Sequence, residues 1–288
     1  MRVSINGRLL DEREALVSAF DRGFLYGDGI FESMRAVNGS VFRLERHLRR
    51  LTRSASLIGL ELARAEADLA AAVREVLRAN GLENARIRVT VTRGAGRPGD
   101  YLHAEGPPTV VVAALPFAGL PREAHDDGVE VSIVRRRQVP PAVLDPAIKS
   151  TSRLSSVLAR REAHERGAFE ALLLDERGHL TEGTASNAFV VAGGRLLTPA
   201  STDGCLPGVT REAVIDLARG AGIDVREERL PVSLLGRAEE IFLTNTSWEV
   251  LPVTRVDGRP VGSGRPGPMA ADLLRLYREL VARECGGA

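Results

Sequence analysis

Lys149 is the only lysine in a chain that carries 39 basic residues. Arginine stays protonated and cannot form an imine, whereas lysine can lose its proton and attack a carbonyl. A composition that uses arginine almost everywhere else marks position 149 as one where arginine does not serve. Ala147-Ile148 precede it and Ser150-Thr151-Ser152 follow. An amine flanked by small residues can be partly desolvated and reach into a cleft. The competing reading is a chance surface lysine.

Three further stretches offer groups for an anion. In Arg46-His47-Leu48-Arg49-Arg50-Leu51, helical spacing puts His47 and Arg50 on one face. The planar fork of Arg50 suits a phosphate because it donates two hydrogen bonds. Taken alone, a solvated basic helix face is the commoner reading. Leu206-Pro207-Gly208-Val209-Thr210-Arg211 precedes a helix, with Thr210 as its expected N-cap and free N–H groups behind it. Phe242-Leu243-Thr244-Asn245-Thr246-Ser247 ends a strand in hydroxyls and an amide, and such ends line pockets. Thr181-Glu182-Gly183-Thr184-Ala185-Ser186-Asn187 reads as a polar loop between strands whose one acid is Glu182.

The elements that must position these groups follow from pattern. Asn6-Gly7 and Asn38-Gly39 predict tight turns, the first between Val3–Ile5 and Arg8–Leu10, the second between Ile30–Val37 and Val41–Leu44. Leu48, Leu51, Ala55 and Ile58 predict a helix from about Glu45, and Ala65–Ala79 a second, stopped by Asn80-Gly81. Arg86–Thr92 alternates as a half-buried strand, and Thr109–Leu115 is a more continuous one. Two prolines and a glycine in Pro116–Pro121 read as a linker. Beyond it the pattern predicts strands at Val129–Val134, Ala171–Leu174, Asn187–Val191 and Glu240–Thr244. Helices are predicted at Ser152–Arg166, Thr210–Ala221 and Met269–Arg283. The domain boundaries are placed at 1–117 for a smaller α/β domain, 118–122 for the linker and 123–288 for a larger strand-rich domain carrying Lys149. This is a mixed α+β and α/β order, not a regular βαβ series.

A formal net charge of +1 supplies no global field for nucleic acid or membrane. Cys205 and Cys285 form no CxxC pair, so neither a disulfide framework nor a cysteine zinc site is expected, and a reducing cytoplasm is the default. Residues 1–10 lack the apolar run of a signal peptide, and no stretch is long and apolar enough to span a bilayer.

Taken in order, these motifs resemble the class IV aminotransferases, the fold-type IV enzymes of pyridoxal 5′-phosphate. The family includes branched-chain and D-amino acid aminotransferases, (R)-amine transaminases and 4-amino-4-deoxychorismate lyases. The resemblance begins at Asp21-Arg22-Gly23-Phe24-Leu25-Tyr26-Gly27-Asp28-Gly29-Ile30-Phe31-Glu32 and runs to about Val253. It implies a two-domain fold with the cofactor in the interdomain cleft, in a homodimer. It implies that Lys149 holds pyridoxal 5′-phosphate as a Schiff base and shuttles the proton. It also implies that Arg50, Val209, Thr210 and Thr246 bind the phosphate, and that Glu182 pairs with the ring nitrogen, with Asn187 closing that motif. Phe31, Arg97, Ser247 and Trp248 lie where the family contacts substrate. The implied reaction moves an amino group between an amino acid or amine and a 2-oxo acid. Branched-chain enzymes carry Asn-Tyr four and five residues after the lysine, where this chain has Arg153-Leu154. That pair, like Thr92-Arg93-Gly94-Ala95-Gly96-Arg97, is similar to the lyases and keeps 4-amino-4-deoxychorismate cleavage as the alternative. Arg97-Pro98-Gly99-Asp100, with His103 displaced, departs from the carboxylate trap of the D-amino acid enzymes.

Overall fold

Asn6 and Gly7 both take positive φ, 50° and 80°, as a tight hairpin between right-twisted strands requires. They join β1 (Arg2–Ile5) to β2 (Arg8–Asp11), with Val3 opposite Leu10. A short helix α1 (Arg22–Tyr26), capped by the Asp21 carboxylate, leads into β3 (Gly29–Val37). Asn38-Gly39 turns the chain back into β4 (Ser40–Val41). The strand expected at Val41–Leu44 stops early because Leu44 already opens helix α2 (Leu44–Leu57). Helix α3 (Glu66–Ala79), β5 (Ala85–Thr92) and β6 (Thr109–Pro116) complete the first unit's main elements. The computed structural model describes residues 1–62 and 64–286.

The six strands form an antiparallel sheet in the order β2-β1-β6-β5-β3-β4. Ile87, Val89 and Val91 of β5 are buried, while Arg86 and Arg88 alternate outward. The apolar stripes of α2 and α3 join that buried face through Leu48, Leu51, Leu69, Val73 and Val76. Each such side chain contributes about 1.5–3 kcal/mol when fully buried.

The second unit begins with α4 (Arg122–Asp126), β7 (Val129–Arg137) and α5 (Leu154–Glu165). It continues through β8 (Glu170–Leu174), β9 (His179–Gly183), β10 (Asn187–Ala192), β11 (Arg195–Thr198) and α6 (Val209–Gly220). Then come β12 (Val225–Glu227), β13 (Leu230–Pro231), β14 (Glu240–Asn245), β15 (Glu249–Val256), β16 (Arg259–Pro260) and α7 (Pro268–Cys285). Their sheet runs β12-β11-β10-β14-β15-β7-β8-β9-β13, with β16 against β15. Leu172, Ala188, Val190, Ile241, Leu243 and Leu251 make its apolar centre. Ala159 and Ala163 let α5 lie close on β7 and β8.

Pattern alone misses β15, because Pro252 argues against a central strand. The missing N–H does no harm there: β7 pairs with β15 only from Val253 onward. The Thr181–Gly183 stretch, expected as loop, belongs to β9, with Glu182 opposite Leu173 of β8.

The two units meet in sequence between Ala118 and Gly119. Residues 123–288 do not form one block, however. Ile148–Arg153 packs with the first unit, as do residues 281–286. The reason lies in β3. Its partner β4 covers only Ala36 and Val37, which leaves the edge at Gly29–Phe31 open. The segment around Lys149 closes that edge. Phe31 N donates to Lys149 O at 2.9 Å, Thr151 N donates to Gly29 O at 2.9 Å, and Ile30 bridges to Ser150.

Candidate active site

In the first unit the site is built on this strand addition. The backbone of Lys149 is held on both sides: its carbonyl accepts from Phe31, and its N–H donates to the hydroxyl of fully buried Ser54 at 3.2 Å. Lys149 is half-buried. Its Nζ lies 4.9 Å from the centroid of the Phe31 ring. The side chain is thus directed by sheet geometry, and the apolar ring beside it limits the water around the amine.

Glu32, next to Phe31 on β3, points to the opposite face of the sheet, as strand alternation demands. Its carboxylate is fully buried and meets the face of α2 that carries His47 and Arg50. Arg50 donates twice, Nε to Oε1 at 2.7 Å and Nη2 to Oε2 at 2.7 Å. His47 Nδ1 lies 2.8 Å from Oε2. Burial pulls the Glu32 carboxyl upward, but Arg50 and then His47 outweigh it and hold it well below the usual carboxylate range. Burial, partly offset by Glu32, lowers His47, so its ring is neutral and donates from Nδ1. His47 Nε2 is then a buried acceptor with no partner among the described residues. Arg50 is therefore no solvated arginine; its side chain is 9% exposed.

Arg97 stands elsewhere, with its side chain 80% exposed and paired to Glu105. The arginine at Phe31 is Arg88, whose Cζ lies 3.8 Å from the ring centroid. Desolvation and then the nearby charge of Arg153 lower the Arg88 pKa. Sequence reasoning passes over Arg88 because an outward arginine on a half-buried strand looks like ordinary solvated surface. Its signal is position: it sits on β5 two residues from Thr90, the residue opposite Phe31.

In the second unit, Glu182 is half-buried at the end of β9. Its Oε1 accepts from Gln138 Nε2 at 2.7 Å and its Oε2 from Leu206 N at 2.9 Å. Asn187 Nδ2 donates to Leu206 O at 2.8 Å, so the second motif residue fixes the turn that holds the first. Helix α6 starts one residue earlier than expected. Gly208, not Thr210, is the N-cap, and no side chain caps the helix. Asn187 explains the glycine: a Cβ at position 208 would lie 2.1 Å from Asn187 Oδ1. Val209 and Thr210 form the buried first turn of this helix, whose N–H groups and dipole favour an anion.

Thr246 and Ser247 are half-buried in the turn after β14. Asn245 Oδ1 accepts from Ser247 N at 2.8 Å and Trp248 N at 2.7 Å, which fixes this turn. The Trp248 ring packs edge-on against Phe169 and lies 5.2 Å from the Arg160 guanidinium. Gln138 is not singled out by sequence; nothing about a glutamine after an arginine run marks it. Among the described residues no group of three or more His, Cys, Asp or Glu could hold a metal, and no helix is long and apolar enough to cross a membrane.

Residues 29–256 match the family model described as amino-transferase class IV. A protein of Methanocaldococcus jannaschii, provisionally named a branched-chain-amino-acid aminotransferase, is 40% identical over 280 residues, 97% of this chain and 96% of its own. A D-alanine aminotransferase of Bacillus licheniformis is 35% identical over 285 residues, 99% of this chain and 98% of its own. Among solved structures, the branched-chain amino acid aminotransferase of Thermobaculum terrenum, in its holo form with pyridoxal 5′-phosphate, superimposes with a TM-score of 0.89. It is 29% identical and covers 98% of this chain and 94% of that one.

Proposed function

The chain belongs to the class IV aminotransferases, and on that footing we propose that Lys149 carries the cofactor while an amino group passes between a small apolar amino acid and a 2-oxo acid. The protein is a transaminase dependent on pyridoxal 5′-phosphate. When bound, that cofactor supplies an aldehyde that condenses with amines and a ring that accepts carbanion electrons.

The residues present fit this group. The family resemblance assigns the phosphate to Arg50, Val209, Thr210 and Thr246. Arg50 is a guanidinium held on Glu32, and Val209 and Thr210 open helix α6 without a side-chain cap, which are donors of the kind a phosphate takes. The ring nitrogen needs an anion, and Glu182 provides a carboxylate, a group with about four acceptor sites on its two oxygens. Asn187 keeps the Glu182 and α6 turns in register.

Each side chain then has a task. Lys149 Nζ would hold the cofactor, and its amine, when free, would take the substrate Cα proton and deliver it onward. Phe31 keeps the apolar side of the substrate, and Arg88, with Arg153 near it, meets a carboxylate. The relatives' names point to alanine and branched-chain amino acids, which share small apolar side chains. They are aminotransferases, and nothing in them favours elimination from 4-amino-4-deoxychorismate.

The single observation that carries the reading is the sole lysine, fixed on the edge of β3 with its amine beside Phe31. The reading extends to a cytoplasmic homodimer. Exposed Phe24, Tyr101 and Leu102 supply apolar surface for a second copy, and both cysteines are free thiols, as a reducing compartment keeps them. Sedimentation at micromolar concentration tests the dimer.

The activity test is the half-reaction. Purified holoenzyme is mixed with L- and D-alanine, L- and D-forms of the branched-chain amino acids, and (R)-amines while cofactor absorbance is followed. An apolar amino acid should bleach the long-wavelength band, and a 2-oxo acid should restore it. Rapid release of 4-aminobenzoate from 4-amino-4-deoxychorismate, with no amine bleaching the band, would overturn the transaminase reading.

A further inference from the structure

Gln138 lies one residue past β7, its backbone N–H bound to Leu174 O at 2.9 Å. Its side-chain nitrogen has two hydrogens, and both are engaged. One goes to Glu182 Oε1 at 2.7 Å and the other to Gly204 O at 2.9 Å. With both hydrogens spent, the amide is fixed in orientation. The turn it grips is the same turn that reaches Glu182 from the other side, because Leu206 N donates to Oε2. Gly204 takes φ 97°, a conformation a side chain would strain, so the turn is shaped to present these two backbone groups. Asn187 ties the turn at Leu206 O.

The carboxylate of Glu182 is thus held by donors from two different segments, linked through one turn. Rotation about its last torsion would break both contacts at once. N–H donors of this kind also favour the ionised form of a carboxyl group. The buried Cys205 thiol lies within this turn; burial, and then the charge of Glu182, push it up to about 12, so no thiolate competes for the same donors.

We propose that Gln138 is a positioning residue for amino transfer: its amide fixes the charge and direction of the Glu182 carboxylate that faces the ring nitrogen of the cofactor. The proposal rests on the assignment of Glu182 to that nitrogen. The role assigned to Gln138 runs through Glu182, with no contact of its own to substrate or cofactor proposed.

The test uses holoenzyme reconstituted with cofactor labelled with 15N at the ring nitrogen. Gln138→Met keeps the length and removes the donor. It is expected to lower kcat about tenfold, the worth of one hydrogen bond to a charged group, with KM within about twofold. The 15N resonance should move toward that of the neutral ring, with its titration displaced downward by about one pH unit. The double variant Q138M/E182Q should turn over no more slowly than E182Q alone, because both changes act on one interaction. A purely structural link would lower the melting temperature and leave the 15N titration where it was. That result, alongside a slow E182Q, overturns the role of Gln138 and leaves Glu182 in place. An E182Q variant with unchanged kcat and 15N titration overturns the assignment of Glu182, and the proposal with it. Gln138→Asn, which withdraws the amide by one methylene, carries the same readings if Gln138→Met does not fold.

Discussion

Replacing Glu32 with alanine tests the electrostatic frame of the first unit most directly. The wild-type carboxylate is fully buried and accepts from Arg50 at 2.7 and 2.7 Å and from His47 at 2.8 Å. Removing it takes two charge-assisted contacts from a guanidinium whose side chain is 9% exposed. Breaking a buried pair in this way costs about 3–5 kcal/mol, most of it the penalty of the uncompensated charge. Glu32→Gln is milder. Its amide oxygen still accepts from Arg50 Nε, and His47 can switch tautomer to accept from the amide nitrogen. Only the Arg50 Nη2 contact is lost outright, at about 1.5–3 kcal/mol. The cofactor adds a second arm. If Arg50 receives the phosphate, the phosphate supplies the missing negative charge, and the Glu32→Ala deficit should shrink by about 1.5 kcal/mol or more in holoenzyme. Urea unfolding of apo and holo forms, followed by tryptophan-independent far-ultraviolet signals, measures both. An apo deficit below about 1 kcal/mol would place the pair in the class of surface ion pairs and refute the burial argument. Equal deficits with and without cofactor would refute the phosphate role of Arg50.

The same cluster makes the protein acid-sensitive in two windows. His47 is lowered by burial, so the unfolded chain takes up a proton that the folded one refuses, and stability falls as pH drops below the ordinary value of 6.5. Glu32 is held low, so its contribution is complete above the ordinary value of 4.5 and drains away below it. His47→Asn, which keeps a donor toward Glu32, should flatten the limb between pH 6.5 and 4.5 in melting curves and spare the limb below; an unchanged profile would show that other groups set it. Arg88→Met should raise KM for the amino donor about tenfold or more with a smaller change in kcat, as for loss of a charge-assisted contact made equally in ground and transition states. Steady-state kinetics with the best donor decides this, and an unaltered KM removes Arg88 from the substrate. Gly208→Ala meets no backbone conflict at φ −72°, but its Cβ must displace the Asn187 amide. Equilibrium dialysis should show weaker cofactor binding, with a stability cost of about 1–3 kcal/mol in melts; wild-type affinity would mean that Asn187 moves aside freely.

How much of this is legible beforehand depends on whether a residue's task is local. Asn6-Gly7 and Asn38-Gly39 announce their turns because the backbone demands are local. Lys149 stands out by composition, and His47 with Arg50 by helical spacing. Their shared partner Glu32 cannot be read, because it arrives from β3 through tertiary packing. Glu182 is found as an acid in a polar stretch but misread as loop, since a strand of Thr, Glu and Gly lacks the apolar alternation that pattern reading needs. Gln138 and Arg88 escape altogether. Each matters through one contact distant in sequence, and each residue type is common on surfaces. Arg97 draws notice instead, and its exposure and its pairing with Glu105 follow from a loop that no periodicity describes.

During synthesis, β3 leaves the ribosome with its edge at Gly29–Phe31 bare. Ala118, the last residue of the first unit's long contiguous block, precedes Lys149 by 31 positions. At about 5–20 residues per second, roughly 2–6 s pass between completion of that block and synthesis of the closing segment, and roughly 6–24 s between Phe31 and Lys149. In that interval the exposed backbone of Ile30 and Phe31 is a template for any extended chain, including the same strand on a neighbouring nascent copy. Asp28, the partly exposed acid just before this edge, is the one charged gatekeeper beside it while the wait lasts, since Glu32 is already buried against Arg50 and His47. The segment that brings the amine also relieves this hazard. A prematurely terminated chain therefore lacks its chemistry and keeps a sticky edge, and quality control has reason to remove it.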